Sequence, residues 1–506
     1  MAEPIRRIII AGGGTAGWMS ACALAVALPP SMEILLIESE DIGTIGVGEA
    51  TIPTMRVFNE HIGVDEGEFI RATQATFKLG IEFRDWGHVG NRYFHPFGDY
   101  GARHEGVAAH QLWRKLNAAG DPTPLEAYSV ATNLAYAGRF FPPNPDPRSP
   151  MHDYNYAFHF DAGLYAKFLR GHAQARGVKR RNARITGVNL NADSGFIDSL
   201  SLDDGSMECA DVFIDCSGFR ALLMGGALGV AYTDWSDLLP VDRAWAVPTA
   251  RPDGNLNPYT ISTAHGAGWQ WRIPLQHRTG NGHVFSSRFT DEQLALDILL
   301  DRLDGAVLKD PMLIRFTTGH RNTFWEKNCI AIGLSSGFLE PLESTSINFI
   351  QLGIIRLLEL FPVRGPNPLL ATEYNARTLE SYLRVRDFII LHYHVNQREE
   401  ALWRHCRDMA IPDDLAYKIA LYSLRGEVIL HKYDHFAEPS WISIYHGQGV
   451  VAQTHDPLAD RHDLDHIRAL LRQRRDVIQR VVRQVPTHGD FIAQHCASDN
   501  FRKVAP

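Results

Sequence analysis

No two of the six cysteines (Cys22, Cys209, Cys216, Cys329, Cys406 and Cys496) form a C-x-x-C pair, and they are scattered over 506 residues. They promise neither a disulfide framework nor a structural zinc site, and they fit a reduced, cytoplasmic setting. Basic excess is missing too. The formal net charge is −8, against the positive balance of a nucleic-acid binder. No run of 18 purely apolar residues suggests a membrane span. No repeat and no low-complexity tract interrupts the chain. The apolar stretch after Arg6 and Arg7 is broken by Gly12, Gly13, Gly14 and Gly17, so it reads as strand, turn and helix rather than as a secretion signal.

What is present is an ordinary globular composition, 45% hydrophobic and 21% charged, in a chain long enough for two or three interlocked lobes. The chain opens β-α-β: "RRIIIAG" is a β-branched run, "TAGWMSACALAVAL" has helical character, and "MEILLIES" is a second buried strand. Residues 181 to 215 carry short alternating strands with an Asp204-Gly205 turn, closing on the apolar Val212 to Ile214. A further apolar strand lies around Cys329 to Ile332. These later strands are expected to return to the first sheet, which makes the first domain discontinuous. From about Pro366 the pattern turns helical. In the last long segment Leu464, Ile467, Leu470, Leu471, Val477, Ile478, Val481 and Val482 fall near one stripe, and its arginines suit a solvated face better than a membrane surface.

"IIIAGGGTAGW" contains G-x-G-x-x-G as Gly12, Gly14 and Gly17, directly after a strand and opening a helix. Gly12 permits the tight turn, Gly14 lets a pyrophosphate approach the backbone, and Gly17 allows close helix–sheet packing. The helix start supplies amide donors and a positive dipole end. Glu38 closes the second strand 21 residues after Gly17, where an acid that binds ribose belongs. A dinucleotide site follows, with FAD and NAD not distinguished by the motif. "DIGTIGVGEATIP", Asp41 to Pro53, is a second glycine-rich loop, in which Gly46, Gly48 and Ala50 let backbone run close to a ligand. "GWQWRIPL" places Trp269 and Trp271 two apart, so an extended chain would point both indoles to one face, with Pro274 ending the ladder.

Taken together, "GGGTAGW", "TFKLG", "GWQWRIP" and "GFLEPLESTSI" resemble the flavin-dependent tryptophan halogenase family, and the resemblance runs on to "LWRHCRDMAIP". The glycine motif is shared by many proteins; the W-x-W-x-I-P motif with the lysine and the E-S-T segment is highly specific. The resemblance implies an α/β fold: an FAD-binding Rossmann-like, flavoprotein monooxygenase-like domain with a mostly helical C-terminal substrate region. The expected division is a discontinuous FAD module over 1–365, with substrate-region insertions around 86–150 and 221–310, and a helical region over 366–506. It implies FAD, used as FADH2, and a halide ion, chloride or bromide. In the family, hypohalous acid made from O2 and halide at the flavin crosses to a separate aromatic substrate.

The resemblance also assigns roles. Gly12, Gly14, Thr15, Ala16, Gly17, Glu38, Gly48, Ala50 and Leu334 are the expected cofactor-binding set. Trp269 and Trp271 match the family's tryptophan pair, proposed to keep organic substrates away from the flavin. Lys78 matches the essential lysine. As an ammonium it could donate a hydrogen bond to hypohalous acid; as a neutral amine it could form a haloamine, which would require a pKa lowered by burial. Glu343 matches the catalytic glutamate, which stabilises the cationic ring and accepts its proton; Glu340 is the competing candidate. Backbone amides at Thr345 and Ser346 match the halide site. Better-known members carry glycine where this chain has Ser346, and serine is less free to adopt positive φ, so an altered halide site is expected. His95 and Phe97 match the residues that sandwich the indole ring.

Free-tryptophan halogenases carry adjacent tyrosines late in the chain. The corresponding "HFAEPSWISIYHGQGV" has Trp441 and Tyr445 but no such pair, which points to indole, a substituted indole or a larger indolic compound. The implied partner is a separate NADH-dependent flavin reductase. Monomers and homodimers are both open, and neither nucleic acid nor membrane is expected as a partner. His392 and His394 lie in a segment read as helix with no third ligand, and family catalysis needs no metal, so no metal is expected. The alternative activity is a flavin-dependent aromatic hydroxylase, and a third reading is a flavin-binding protein without turnover. Lys78 and the tryptophan pair argue against the hydroxylase, and Lys78 together with Glu343 against the third.

Overall fold

Arg7–Ala11 is a β-branched pentapeptide whose Ile8, Ile9, Ile10 and Ala11 are sealed from solvent, as a central parallel strand with both faces covered must be. A computed structural model describes residues 4–41, 48–252, 256–499 and 501 and divides into two units. The first comprises Met1–Ala75, Phe160–Asp242 and Arg315–Leu383; the second comprises Thr76–His159, Arg243–Ile314 and Arg384–Pro506.

In the first unit a six-stranded sheet runs in the order Trp325–Glu326, Cys329–Ala331, Val212–Asp215, Arg7–Ala11, Glu33–Glu38, Lys179–Asn182. The pairings are parallel except for the hairpin of the first two strands. The strands around 212 and 329 thus return to the opening strand, as their apolar runs predict. Side-chain alternation gives the sheet two faces. Ile9, Leu35, Ile37 and Phe213 form one core with Ile197, Leu200 and Leu202 of a three-stranded antiparallel meander (Ile185–Leu190, Ile197–Leu202, Met207–Cys209). Leu36, on the other face, lies against the helix Thr15–Ala27 at Gly17.

The second unit is built on a seven-stranded sheet in the order Met312–Arg315, Arg243–Thr249, Thr279–Phe285, Gly268–Pro274, Thr260–His265, Gly80–Arg84, Arg92–Pro96. Gly268–Pro274 carries the two tryptophans and is an interior strand, hydrogen-bonded on both sides and ending at Pro274. The helices Asp413–Arg425, Glu438–Gly447 and Leu464–Gln484 belong to the same unit. On the last, Ile467, Leu471 and Ile478 of the predicted stripe are buried. Among the described residues no helix is long and apolar enough to cross a membrane.

Candidate active site

The glycine turn in the first unit is fixed by space as much as by φ. Gly12 has φ +113°, and a Cβ there would stand 2.3 Å from the Cys216 carbonyl oxygen. A Cβ on Gly17 would stand 1.9 Å from the Gly12 carbonyl oxygen. The helix that begins at Thr15 has no side chain capping its amides and no acid in its first turn. Such a start suits a phosphate. Glu38 ends its strand with Arg180 Nε at 2.6 Å and Trp18 Nε1 at 3.3 Å, and its carboxylate lies against Gly13, which has no side chain to obstruct it. On the far side of Ala16, a Cβ on Gly333 (φ +83°) would approach the Ala16 Cβ to 2.8 Å. Leu334 follows in the turn Gly333–Ser335. These cradles, open only because Cβ atoms are absent, fit a dinucleotide cofactor.

Asp215, in "VFIDCSG", has no role assigned by motif or resemblance. It is fully buried. One carboxylate oxygen accepts from Ser217 N–H at 3.0 Å and Ser217 O–H at 2.6 Å, the other from Leu223 and Met224 N–H at 3.0 and 2.9 Å. It therefore shapes the turn beside Gly12. The signal was available: an acid ending a buried strand before a Ser-Gly turn has backbone amides to satisfy.

Of the second glycine-rich stretch, Gly46 lies outside the described residues. Gly48–Ala50 forms a short strand where the sequence suggested loop throughout. Beyond it, Thr54 Oγ1 donates to Gln351 Oε1 at 2.8 Å and accepts from Asn348 Nδ2 at 3.0 Å. That ties the stretch to the helix Ser346–Glu359. The helix follows the turn Pro341–Glu343, and Glu340, Glu343 and Thr345 are all fully buried. The left-handed residue here is Ser344, at φ +59°. Ser346 opens the helix and adopts no positive φ, so the conformational concern about serine at 346 is corrected: glycine's special freedom is not used there. The helix has no side-chain cap and no acid in its first turn, and the buried Thr345 hydroxyl has no hydrogen-bond partner among the described residues. This start too suits a small anion.

In the second unit, Lys78 is completely buried at the end of the short strand Thr76–Lys78, paired antiparallel with residues 157–159. Its Nζ lies 5.0 Å from the centroid of the Phe97 ring, whose negative face attracts a cation. Phe97 is held there by its N–H, which donates to Leu79 O at 2.8 Å. Thr76 Oγ1 donates to Pro274 O at 2.6 Å, joining the lysine strand to the end of the tryptophan strand. His159, opposite Thr76, contacts Thr76 Oγ1 at 3.1 Å and Thr260 Oγ1 at 2.9 Å. Burial holds it well below the usual histidine range, with the Lys78 charge adding to the effect, so the lysine's neighbour is a neutral imidazole.

Trp269 and Trp271 are buried, with ring centroids 6.1 Å apart. Cross-strand space makes the pair possible: a Cβ on Gly282, opposite Trp271, would collide with the indole at 2.1 Å. Trp86 lies 6.3 Å from Trp269, and Trp403 lies 5.1 Å from Trp86. The pair therefore belongs to a larger aromatic cluster.

His95 is buried on the strand Arg92–Pro96, and its ring meets that of Phe97 edge-on, at 6.3 Å and 72°. His95 also faces Phe388 and Phe436 at 5.9 and 6.1 Å, and those two rings stack at 3.9 Å. Phe388 and Phe436 were not anticipated, because aromatics hundreds of residues away carry no local pattern linking them to His95. In the late segment Trp441 and Tyr445 are both buried on the helix Glu438–Gly447. Lys418 Nζ lies 4.3 Å from the Trp441 ring and pairs with Asp434 at 2.8 Å.

The family description "Tryptophan halogenase" matches residues 7–463. A tryptophan 6-halogenase from Streptomyces toxytricini is 34% identical over 478 residues, covering 89% of this chain and 91% of that protein. A tryptophan 7-halogenase from Lentzea aerocolonigenes is 34% identical over 444 residues, covering 83% of this chain and 82% of that protein. Among solved structures, a flavin-dependent halogenase from Brevundimonas sp. BAL3 is 46% identical with a TM-score of 0.94, covering 97% of this chain and 99% of its own. One from Xanthomonas campestris is 44% identical with a TM-score of 0.95, covering 98% and 99%. Matched over nearly its whole length in sequence and in fold, the chain belongs to the tryptophan halogenase family and is a flavin-dependent halogenase.

Proposed function

We propose that this enzyme halogenates an indole-type aromatic other than free tryptophan, using Lys78 to deliver the halogen and Glu343 to remove the proton. The single observation that carries the reading is the burial of the Lys78 ammonium against Phe97. Lysine is almost never fully buried, and this one is held with its amine over the face of an aromatic ring.

The residues that would hold FAD are Gly12, Gly14, Thr15, Ala16, Gly17 and Glu38 for the pyrophosphate and ribose, with Gly48, Ala50 and Leu334 further along the cofactor. When bound and reduced, FAD supplies hypohalous acid from O2 and halide. A separate NADH-dependent flavin reductase would deliver it reduced. The amides at Thr345 and Ser346, at an uncapped helix start, would hold chloride or bromide. Trp269 and Trp271 would close the flavin side to organic substrate.

Lys78 Nζ would donate a hydrogen bond to the oxygen of hypohalous acid and draw electron density from the halogen. The ring's π electrons attack the halogen, a carbon–halogen bond forms, and the halogen–oxygen bond breaks as its oxygen takes the Lys78 ammonium proton to leave as water. Glu343 would accept the ring proton, restoring aromaticity. His95 and Phe97 would flank the ring. Free tryptophan needs partners for its ammonium and carboxylate, and the late segment offers two separated, buried aromatics instead of adjacent tyrosines.

Lys78→Ala tests the assignment. Halogenation of indole should fall on the order of 100-fold or more, with FAD binding by fluorescence titration unchanged. Substantial residual product from the variant would remove Lys78 from the mechanism.

A further inference from the structure

Three histidines outside every motif described above converge in the second unit: His104, His462 and His466 offer ring nitrogens that all lie within 4.8 Å of one another. His104 Nε2 and His466 Nε2 are 3.2 Å apart. Two imidazole nitrogens bound to one tetrahedral zinc ion at its ordinary bond length stand about 3.3 Å apart, so this pair already has ligand spacing. The three rings stand with centroids 5.1 to 5.6 Å from one another.

The local structure presents them to a common point. His462 precedes the cap Asp463 and His466 lies in the first turn of the helix Leu464–Gln484, where their rings meet with centroids 5.6 Å apart. Lys115 Nζ holds the His462 carbonyl at 2.8 Å, and Asp463 accepts from the His466 N–H at 2.7 Å as the helix cap. Both backbones are thereby fixed. His104 and Val107 close a two-residue hairpin through reciprocal hydrogen bonds of 2.9 Å. Glu105 and Gly106 form its turn at φ +47° and +87°. A left-handed glutamate is an unfavourable choice for turning alone. This one brings its Oε2 to 3.8 Å from His462 Nε2.

His462 supplies the sharpest signal. It is 8% exposed, and its Nε2, 3.8 Å from the Glu105 carboxylate, has no hydrogen-bond partner among the described residues. A buried imidazole nitrogen left without a hydrogen bond is uncommon unless another ligand takes the place of one. The positive end of the helix dipole opposes a cation here; the carboxylates of Glu105, Asp463 and Asp465 oppose that field.

We propose that His104, His462 and His466 bind one divalent transition-metal ion of the zinc class, with Glu105 or water as fourth ligand. Imidazole and carboxylate suit zinc, and the donor set contains no thiolate. The ion would tie the turn at His104 to the helix start at His466 and would act as a structural staple, independent of the halogenation chemistry.

The test is a zinc titration of untagged, chelator-treated, full-length protein against a chromophoric zinc chelator. Wild type should bind one equivalent that the His104→Ala and His466→Ala variants bind on the order of 100-fold more weakly or worse. One equivalent of zinc should also raise the thermal midpoint of wild type and not of the variants. His466 is exposed, so its replacement leaves the fold intact. Zinc affinity and zinc-induced stabilisation equal in wild type and both variants would overturn the proposal.

Discussion

At the residue scale, the two side chains proposed to carry the chemistry share one property, complete burial. Lys78 and Glu343 are each fully buried in their own unit, although lysine and glutamate are almost never buried without a reason. Glu343→Gln keeps the shape and removes the base. It should slow substitution on the order of 100-fold or more while hypohalous acid, measured with a small chlorination probe, still forms at the wild-type rate. A normal substitution rate would move the base to the equally buried Glu340. Lys78 and Glu343 were singled out in the sequence only through the family motifs "TFKLG" and "EPLESTS", since a lone lysine or glutamate carries no such signal. The left-handed Ser344 was not, because serine carries none of glycine's conformational signature. Nor were Phe388 and Phe436, or the three clustered histidines, since only the folded chain brings such distant residues together.

At the scale of elements, the β-α-β opening and the returning strands at 212 and 329 were readable because buried parallel strands need uninterrupted apolar runs. The glycine turn was readable because backbone crowding leaves it no other residue. Gly17→Ala tests that crowding. With its Cβ 1.9 Å from the Gly12 carbonyl oxygen, the helix must move off the strand. The expected cost is on the order of 1–3 kcal/mol of stability, with FAD affinity weakened on the order of 10-fold as the helix start shifts. Unchanged FAD affinity, read by fluorescence titration, would show that the helix start does not hold the phosphates. The interior position of the tryptophan strand was beyond the sequence, since edge and central strands share the same alternation.

At the scale of the whole molecule, the second unit carries a set of buried or half-buried histidines that desolvation holds neutral. His110, His283, His446 and His488 are pushed down to about 4 and His265 to about 3. In the unfolded chain each titrates near 6.5. Below that pH the unfolded state takes up protons that the folded state refuses, so stability present above about pH 6.5 is lost progressively toward pH 4. Asp99, Glu126, Asp387 and Glu438, raised by burial, act in the opposite sense. Each returns stability as the pH falls through its raised folded value, so a variant at a single histidine is needed to see the histidine contribution. His488 isolates the effect. Its Nε2 accepts from Phe77 N–H at 3.1 Å, so its Nδ1 carries the proton and donates to Leu256 O at 2.8 Å. A glutamine can make both bonds without titrating. His488→Gln should therefore lose less thermal stability than wild type between pH 7 and pH 5. An equal or larger loss in the variant would place the sensitivity elsewhere.

The most direct measurement is the mass of the product. Purified enzyme, FAD, a flavin reductase and NADH are combined in air with indole, supplied in turn with chloride and bromide. The account predicts a product carrying the chlorine or bromine isotope pattern, formed from indole in preference to free tryptophan. A product heavier by one oxygen and dependent on this enzyme, with no halogen incorporated, would contradict it.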